Sequence, residues 1–343
     1  VNTEEMLRWR IERHLLGSER ATDPVDVARR VSGVHAQVAA SAAEAVRLRT
    51  TVDADLDAGL DAALYERRTL VRTWAARGTL HLLPAADLPA WVAAMSTRTR
   101  ETKNSWLKYH GVTAEQMTRL IAAAPHVLGG TPLTREELAG ALIADLGDDS
   151  LRGPLTQGFG AILKPLAFRG LLCSGPPRGR NVTFVAPRAW IGEWDDVPVD
   201  DAIDTLALAY LGAYGPADAA EFARWFDLAP PLAKKAFARL DIVDTGAGFV
   251  PPGITVGSAD TVHLLPAFDP YTVGSLRQLD TVSTGPRAAV SRPQGWISPT
   301  LVVNGRIIGT WEADAATGVP AVTPFGRLPA AVRRALPEVT ITR

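Results

Sequence analysis

Three times along this chain, two short helical segments are followed by two strand-forming runs joined at a Gly-rich turn. That order outlines a winged helix, a helix-turn-helix with a hairpin wing. In the third copy, Gly215-Pro216 opens a segment with Phe222, Trp225 and Phe226 at helical spacing, and Pro230-Pro231 breaks it. Ala233, Ala236, Phe237 and Leu240 then mark a second helix, and Ile242-Val243 and Phe249-Val250 flank the turn Asp244 to Gly248. In the second copy, Thr134-Arg135-Glu136-Glu137 has capping-box spacing. Phe159, Ile162, Leu163 and Leu166 form an apolar stripe, and the runs 171–173 and 182–185 enclose a tip bearing Arg178 and Arg180. The first copy starts at Asp23-Pro24, an N-cap followed by proline at the first helical position. Ser41-Ala42-Ala43-Glu44 predicts a helix over 41–49, and 70–74 with 79–83 predicts a hairpin.

Past residue 255 strands take over. Asn304-Gly305 between Val302-Val303 and Arg306-Ile307-Ile308 is a type I′ hairpin signal. With 262–265 and Trp296-Ile297 it predicts a small β-barrel or sheet, closed by an amphipathic turn or two over 328–336. The expected fold class is therefore α+β, mainly α: three tandem winged-helix units plus a C-terminal β-barrel or sheet. The expected modules are 1–110, 111–190, 196–252 and 253–343.

Composition narrows the chemistry. Hydrophobic residues at 47% and charged residues at 21% are ordinary globular usage, which excludes a disordered or collagen-like chain. Cys173 is the one cysteine and the six histidines lack i, i+4 pairing, so neither a thiolate nor a His-only metal centre is expected, and no cofactor. No apolar run reaches the roughly 20 residues of a membrane span, and with charges throughout its first twenty residues the chain is expected to be untargeted. A cytoplasmic monomer is expected. The net charge of −1 argues against a wholesale polyanion binder, yet 151–190 holds six cations and no acid while 191–230 sets nine acids against Arg224. A basic face able to meet phosphates follows from that segregation, with Arg178 and Arg180 at its wing.

His35 and Gln37 are the candidate chemical pair. Side chains at i and i+2 share a side where the backbone is extended, and the turn between two helices is such a place. Taken alone, a His and a Gln in such a turn are more often packing or capping groups.

The blocks Ser32 to Gln37, Arg72 to His81, Leu264 to Tyr271 and Val303 to Trp311 together resemble the AlkZ/YcaQ family of bacterial DNA glycosylases, in the family's order and over most of the chain. The resemblance implies three winged helices and a β-barrel around a channel for duplex DNA, and hydrolysis of the N-glycosidic bond of N7-alkylated guanine. The family's polar-Φ-polar catalytic motif falls on His35-Ala36-Gln37. Gln37 matches its second polar position, whereas His35 resembles a His-Φ-Gln subgroup linked to self-resistance against bulky alkylating antibiotics, and Ala36 is smaller than the usual middle residue. N7 alkylation leaves the base positively charged, so a held water and modest charge stabilisation suffice: Gln37 to position the water, a neutral His35 to accept its proton. The nearest lysine in sequence is Lys103, which favours a monofunctional enzyme over a Schiff-base lyase. Arg77 and His81 in the first hairpin, and Arg47 on the helix after the motif, complete the expected DNA contacts.

Two other classes fit a winged-helix series. A transcriptional regulator needs a recognition helix rich in Arg, Asn or Gln, where this chain offers mainly alanine with Arg47 and Arg49. A non-catalytic lesion binder requires only that His35 has replaced a working group.

Overall fold

The structure, a computed structural model, describes residues 2–51, 56–158, 160–253, 257, 260–314, 316–336 and 339–341. Phe159 of the predicted stripe lies outside them. About half of the chain is helical and the rest is strands and turns, a mixed α/β fold. Contacts divide it into two units, one of 1–57, 208–221 and 240–343, the other of 58–207 and 222–239.

The first unit is built from both ends of the chain. Asn2 and Glu5 form a capping box at the helix Thr3–Arg13, whose Met6, Leu7 and Ile11 pack with Leu265, Tyr271, Val302 and Ile307. The strands Val262–Leu265, Thr300–Val303, Arg306–Ala313, Pro320–Pro324 and Thr340–Ile341 make an open five-stranded sheet, with Val262–Leu265 at one edge and Thr340–Ile341 at the other. No closed barrel forms among the described residues. Asn304 and Gly305 take φ of 50° and 83°, as their turn type demands. Gly305 has a second reason to lack a side chain, since a Cβ there would meet the Leu7 carbonyl oxygen at 2.6 Å.

Near the motif, Asp23 caps the helix Pro24–Arg30 as expected. The next helix runs Ala39–Arg47, two residues earlier than the Ser41 cap predicts, and Val38 at its N-cap makes no side-chain hydrogen bond. Alanine at 39 and 40 is a strong enough helix former to extend the first turn past the serine. Trp296-Ile297, expected as strand, forms only a single bridge from Ile297 to Ser291. The closing helix is one short turn and a half, Ala330–Arg334.

In the second unit the hairpin Leu70–Trp74 with Leu80–Pro84 pairs Thr73 opposite His81. Thr134 and Glu137 form the predicted capping box of the helix Arg135–Leu146. The hairpin Cys173–Arg178 with Asn181–Val185 gains Leu133–Thr134 as a third strand. Burial pushes the Cys173 thiol pKa up, in keeping with an inert packing residue. Pro230 opens the helix Pro230–Arg239 instead of lying in the break before it. Trp225 and Phe226 of the preceding helix pack on Trp91.

One buried group couples the first unit to pH. His14 lies 1% exposed, with Nε2 3.1 Å from the Ala213 carbonyl oxygen and its ring against Tyr214 and Tyr271. Burial, and then the nearby Arg49 and Arg10, hold its pKa well below the usual histidine range. The native protein therefore keeps His14 neutral while the unfolded chain protonates it below about pH 6.5, so its contribution is full above that pH and is lost as pH falls. His263, also shifted down mainly by burial, adds in the same direction. The thermal midpoint is expected to drop between pH 7.5 and 5, and His14→Gln to shrink that drop; an equal drop in the variant would place the acid sensitivity elsewhere.

Candidate active site

Ser32 and Gly33, at φ of 53° and 91°, end the Pro24–Arg30 helix and turn the chain into the two-residue strand Val34–His35. Val34 and Ala36 are buried at 0% and 1% exposure, which leaves little room for a larger residue between the two polar ones. His35 is itself buried, whereas Gln37 is exposed in the bend that leads into Ala39–Arg47. The pair thus has an inner imidazole and an outer amide.

The wall behind His35 comes from far along the chain. Phe268 stacks on the imidazole, with ring centroids 5.1 Å apart and planes within 6°. Trp296 in turn meets Phe268 edge-on at 5.0 Å and 79°. Val38 and Leu276 cover the same cluster, which includes Ala267, Val273 and Ile297. Phe268 has φ of 59°, a left-handed conformation that a bulky side chain rarely takes. Its neighbour fixes it there. Asp269 is fully buried and accepts Arg49 Nη2 at Oδ1 (2.7 Å), Arg49 Nη1 at Oδ2 (2.9 Å) and the Tyr271 N–H at Oδ1 (2.9 Å). Arg49 Nη1 also donates to the Ala45 carbonyl. Asp269 therefore caps the turn that begins at Pro270 and is at the same time half of a buried ion pair. Arg49 is wholly buried in it, which removes Arg49 from any surface that reads DNA.

The expected DNA-contact residues fall in different environments. Arg47 is exposed and forks onto Glu44, Nε to Oε2 at 2.8 Å and Nη2 to Oε1 at 2.5 Å. Arg178 is exposed but donates to Glu137 at 2.6 Å and to the Pro132 carbonyl at 2.8 Å, while Arg180 is exposed beside Gly179 at the hairpin tip. His81 is 2% exposed, with Nδ1 2.9 Å from the Thr79 carbonyl oxygen, so it sits inside the hairpin packing and not on its surface. Arg77, at φ of 55° in the hairpin turn, donates to the Trp225 carbonyl at 3.3 Å.

Arg77 also lines an open cleft of about 760 Å³ in the second unit, together with Arg98, Arg100, Lys103 and Lys164. The two acids there are paired: Asp227 with Arg98 inside the cleft, and Glu101 with Arg169 outside its lining at 3.1 Å. Burial chiefly, and then the neighbouring Arg98 and Arg100, lower the Lys164 pKa. Trp106 and His110 lie on the rim, their rings 4.3 Å apart, with Tyr109 85% exposed beside them. The alternation of Arg98, Arg100, Lys103 and Lys108 with Trp106 and Tyr109 is visible in the sequence, though Glu101 interrupts it and the acid-free run around 178–180 is the stronger signal; Lys164 joins only through the fold. No group of three or more His, Cys, Asp or Glu residues suited to a metal occurs among the described residues, nor does any helix there reach the length and apolarity needed to cross a membrane.

Comparison with known proteins supplies the class: the protein is a DNA glycosylase. It belongs to the AlkZ-like DNA glycosylase family, whose profile matches residues 28–340. It is 37% identical over 339 residues to the interstrand DNA cross-link repair glycosylase of Streptomyces sahachiroi, an alignment covering 94% of this chain and 90% of that one. The solved structure of the Streptomyces sahachiroi DNA glycosylase AlkZ matches with a TM-score of 0.86 at 34% identity, over 100% of both chains.

The buried ion pair yields a stability prediction. Asp269→Asn leaves the Arg49 charge buried without its counter-ion and is expected to cost about 3–5 kcal/mol. Urea unfolding checks this, and a loss below about 1 kcal/mol would show that the pair is not the corner's fastening.

Proposed function

We propose that this glycosylase is monofunctional and hydrolyses the N-glycosidic bond of N7-alkylated guanine in duplex DNA, with His35 and Gln37 as its catalytic residues. The observation that carries the reading is the inner imidazole and outer amide on one turn, at the family's motif position. The amide of Gln37 reaches solvent and can hold a water beneath C1′ of the lesion. His35, seated among apolar side chains, is suited to the neutral state in which a ring nitrogen takes up the proton of that water. The cationic base leaves without a strong general acid, so two weak groups are enough.

The substrate we favour is a bulky adduct left by a genotoxic natural product, which makes self-resistance through base excision repair the biological role. The named activity of the Streptomyces relative extends the candidates to interstrand cross-links. The fold is read as three winged helices, 1–110, 111–190 and 196–252, followed by the sheet-bearing 253–343, working as a monomer on cytoplasmic DNA. In the third copy, Ala217 bridges Phe249, which supports a short first strand joining that hairpin. Phosphate contact is assigned to Arg180, Arg178, Arg47 and Arg77, with Arg100, Lys103 and Lys164 added from the cleft; His81 serves the hairpin from inside.

Single-turnover incubation with duplex carrying N7-methylguanine or a bulky N7-guanine adduct, followed by alkali to reveal abasic sites, tests the chemistry. His35→Ala and Gln37→Ala are each expected to slow excision about a hundredfold or more. Full activity in both would remove the motif from the mechanism, and absence of excision in wild type with binding retained would favour a lesion binder. For the cleft, Lys164→Ala is expected to weaken duplex binding and to reduce the slope of log affinity against log salt by about one. An unchanged slope would mean that no phosphate sits there.

A further inference from the structure

We propose that Trp296 is the stacking platform for a flat aromatic ring of the DNA at the lesion, resting on the reading of His35 and Gln37 as the catalytic pair. A row of three rings runs from the buried imidazole of His35, through Phe268 stacked on it, to Trp296 set edge-on against Phe268. Trp296 ends that row at 44% exposure. A single exposed tryptophan is ordinary; one separated from the proton-accepting imidazole by a single ring is not placed at random with respect to the chemistry.

The loop that carries it is built to hold the indole out. The Arg292 N–H donates to the Trp296 carbonyl at 2.8 Å, closing a tight turn in which Gln294 and Gly295 take φ of 61° and 79°. Below the turn, Ile297 is buried in the cluster around Phe268. Ser298 is fully buried and donates from N–H to the Val290 carbonyl at 2.9 Å and from Oγ to the Ala289 carbonyl at 2.7 Å. Arg292 pairs with Glu312 at 3.0 Å across the base of the loop. A collapsed loop would bury more apolar surface. This one keeps the indole half outside, at the cost of a left-handed Gln294, and Phe268 beneath it is also left-handed. Two such residues on adjoining segments, both supporting the same aromatic row, mark a surface shaped for an occupant.

The occupant is a π face. An indole stacks on any base without regard to sequence, and equally on a planar adduct. A glycosylase must disturb the stack at its target, and a fixed indole one ring away from the His35 imidazole replaces the stacking partner that the disturbed ring loses.

The test uses the full-length protein and two duplexes, one with a single N7-methylguanine and one with a polycyclic aromatic N7-guanine adduct. Affinity is measured in a Gln37→Ala background with and without Trp296→Ala, Trp296→Leu or Trp296→Phe. Leucine keeps apolar cover on Phe268 and carries the test if the alanine variant does not fold. The expected result is a loss of affinity of about tenfold or more for alanine and leucine, with phenylalanine close to tryptophan. Loss on both duplexes identifies a base of the DNA as the stacked ring, and loss on the polycyclic duplex alone identifies the adduct. Affinity unchanged within threefold on both duplexes overturns the proposal. Excision that persists in Gln37→Ala would overturn the catalytic reading instead, while the affinity comparison would still decide the role of Trp296.

Discussion

The buried ion pair between Arg49 and Asp269 joins positions 220 residues apart, and the candidate site hangs from it. Taking two charges out of water is unfavourable, and geometry recovers that cost only when the pair is bidentate and the remaining lone pairs are satisfied. Here the carboxylate accepts both guanidinium nitrogens and the Tyr271 amide, so one arrangement is strongly preferred over its neighbours. That arrangement brings the 266–271 corner against the segment 32–49. It holds Phe268 in a backbone conformation that costs of order 1–3 kcal/mol, and Phe268 is the wall on which His35 rests.

The proposed chemistry needs little from each group. A cationic leaving base asks for a positioned water and a weak proton acceptor, and in the proposed reading a buried imidazole stacked on Phe268 and an exposed amide two residues on are suited to those parts. The electrostatics follow the same division of labour. A net charge of −1 conceals a cleft lined by Arg98, which pairs with Asp227, and by Arg100, Lys103 and Lys164, the last with its pKa lowered by burial and then by Arg98 and Arg100. Surface pairing matters as much as residue type: Arg178 reads in sequence as a phosphate contact, yet Glu137 already takes part of its hydrogen-bonding capacity.

Features set by neighbouring residues were legible in the sequence. The Asp23 and Thr134 caps, the Asn304-Gly305 turn and the 70–84 hairpin depend on chemistry within a few positions, and each lies where its local signal put it; in the second hairpin the first strand runs Cys173–Arg178, through the Gly- and Pro-rich run that reads in sequence as its tip, instead of 171–173. The Ser41 cap failed because alanines ahead of it extended the helix. Trp296-Ile297 reads as strand from its side chains, but the positive φ at Gln294 and Gly295 makes a turn that breaks off pairing after one bridge. His35 and Gln37 were visible as an irregular turn, whereas their difference in exposure and the ring behind His35 were not. No local pattern encodes contacts between residues 35 and 268 or 49 and 269. For the same reason the N-terminal helix gave no sign in sequence that it would pack with Leu265, Val302 and Ile307 of the C-terminal sheet.

The proposed role of His35 as a neutral proton acceptor is open to a single experiment: its imidazole is followed through titration by NMR in histidine-labelled protein, and single-turnover base release is plotted on the same pH axis. Coincident midpoints are expected, with the rate falling as His35 takes up its proton. A rate that stays flat while His35 titrates would contradict the assignment.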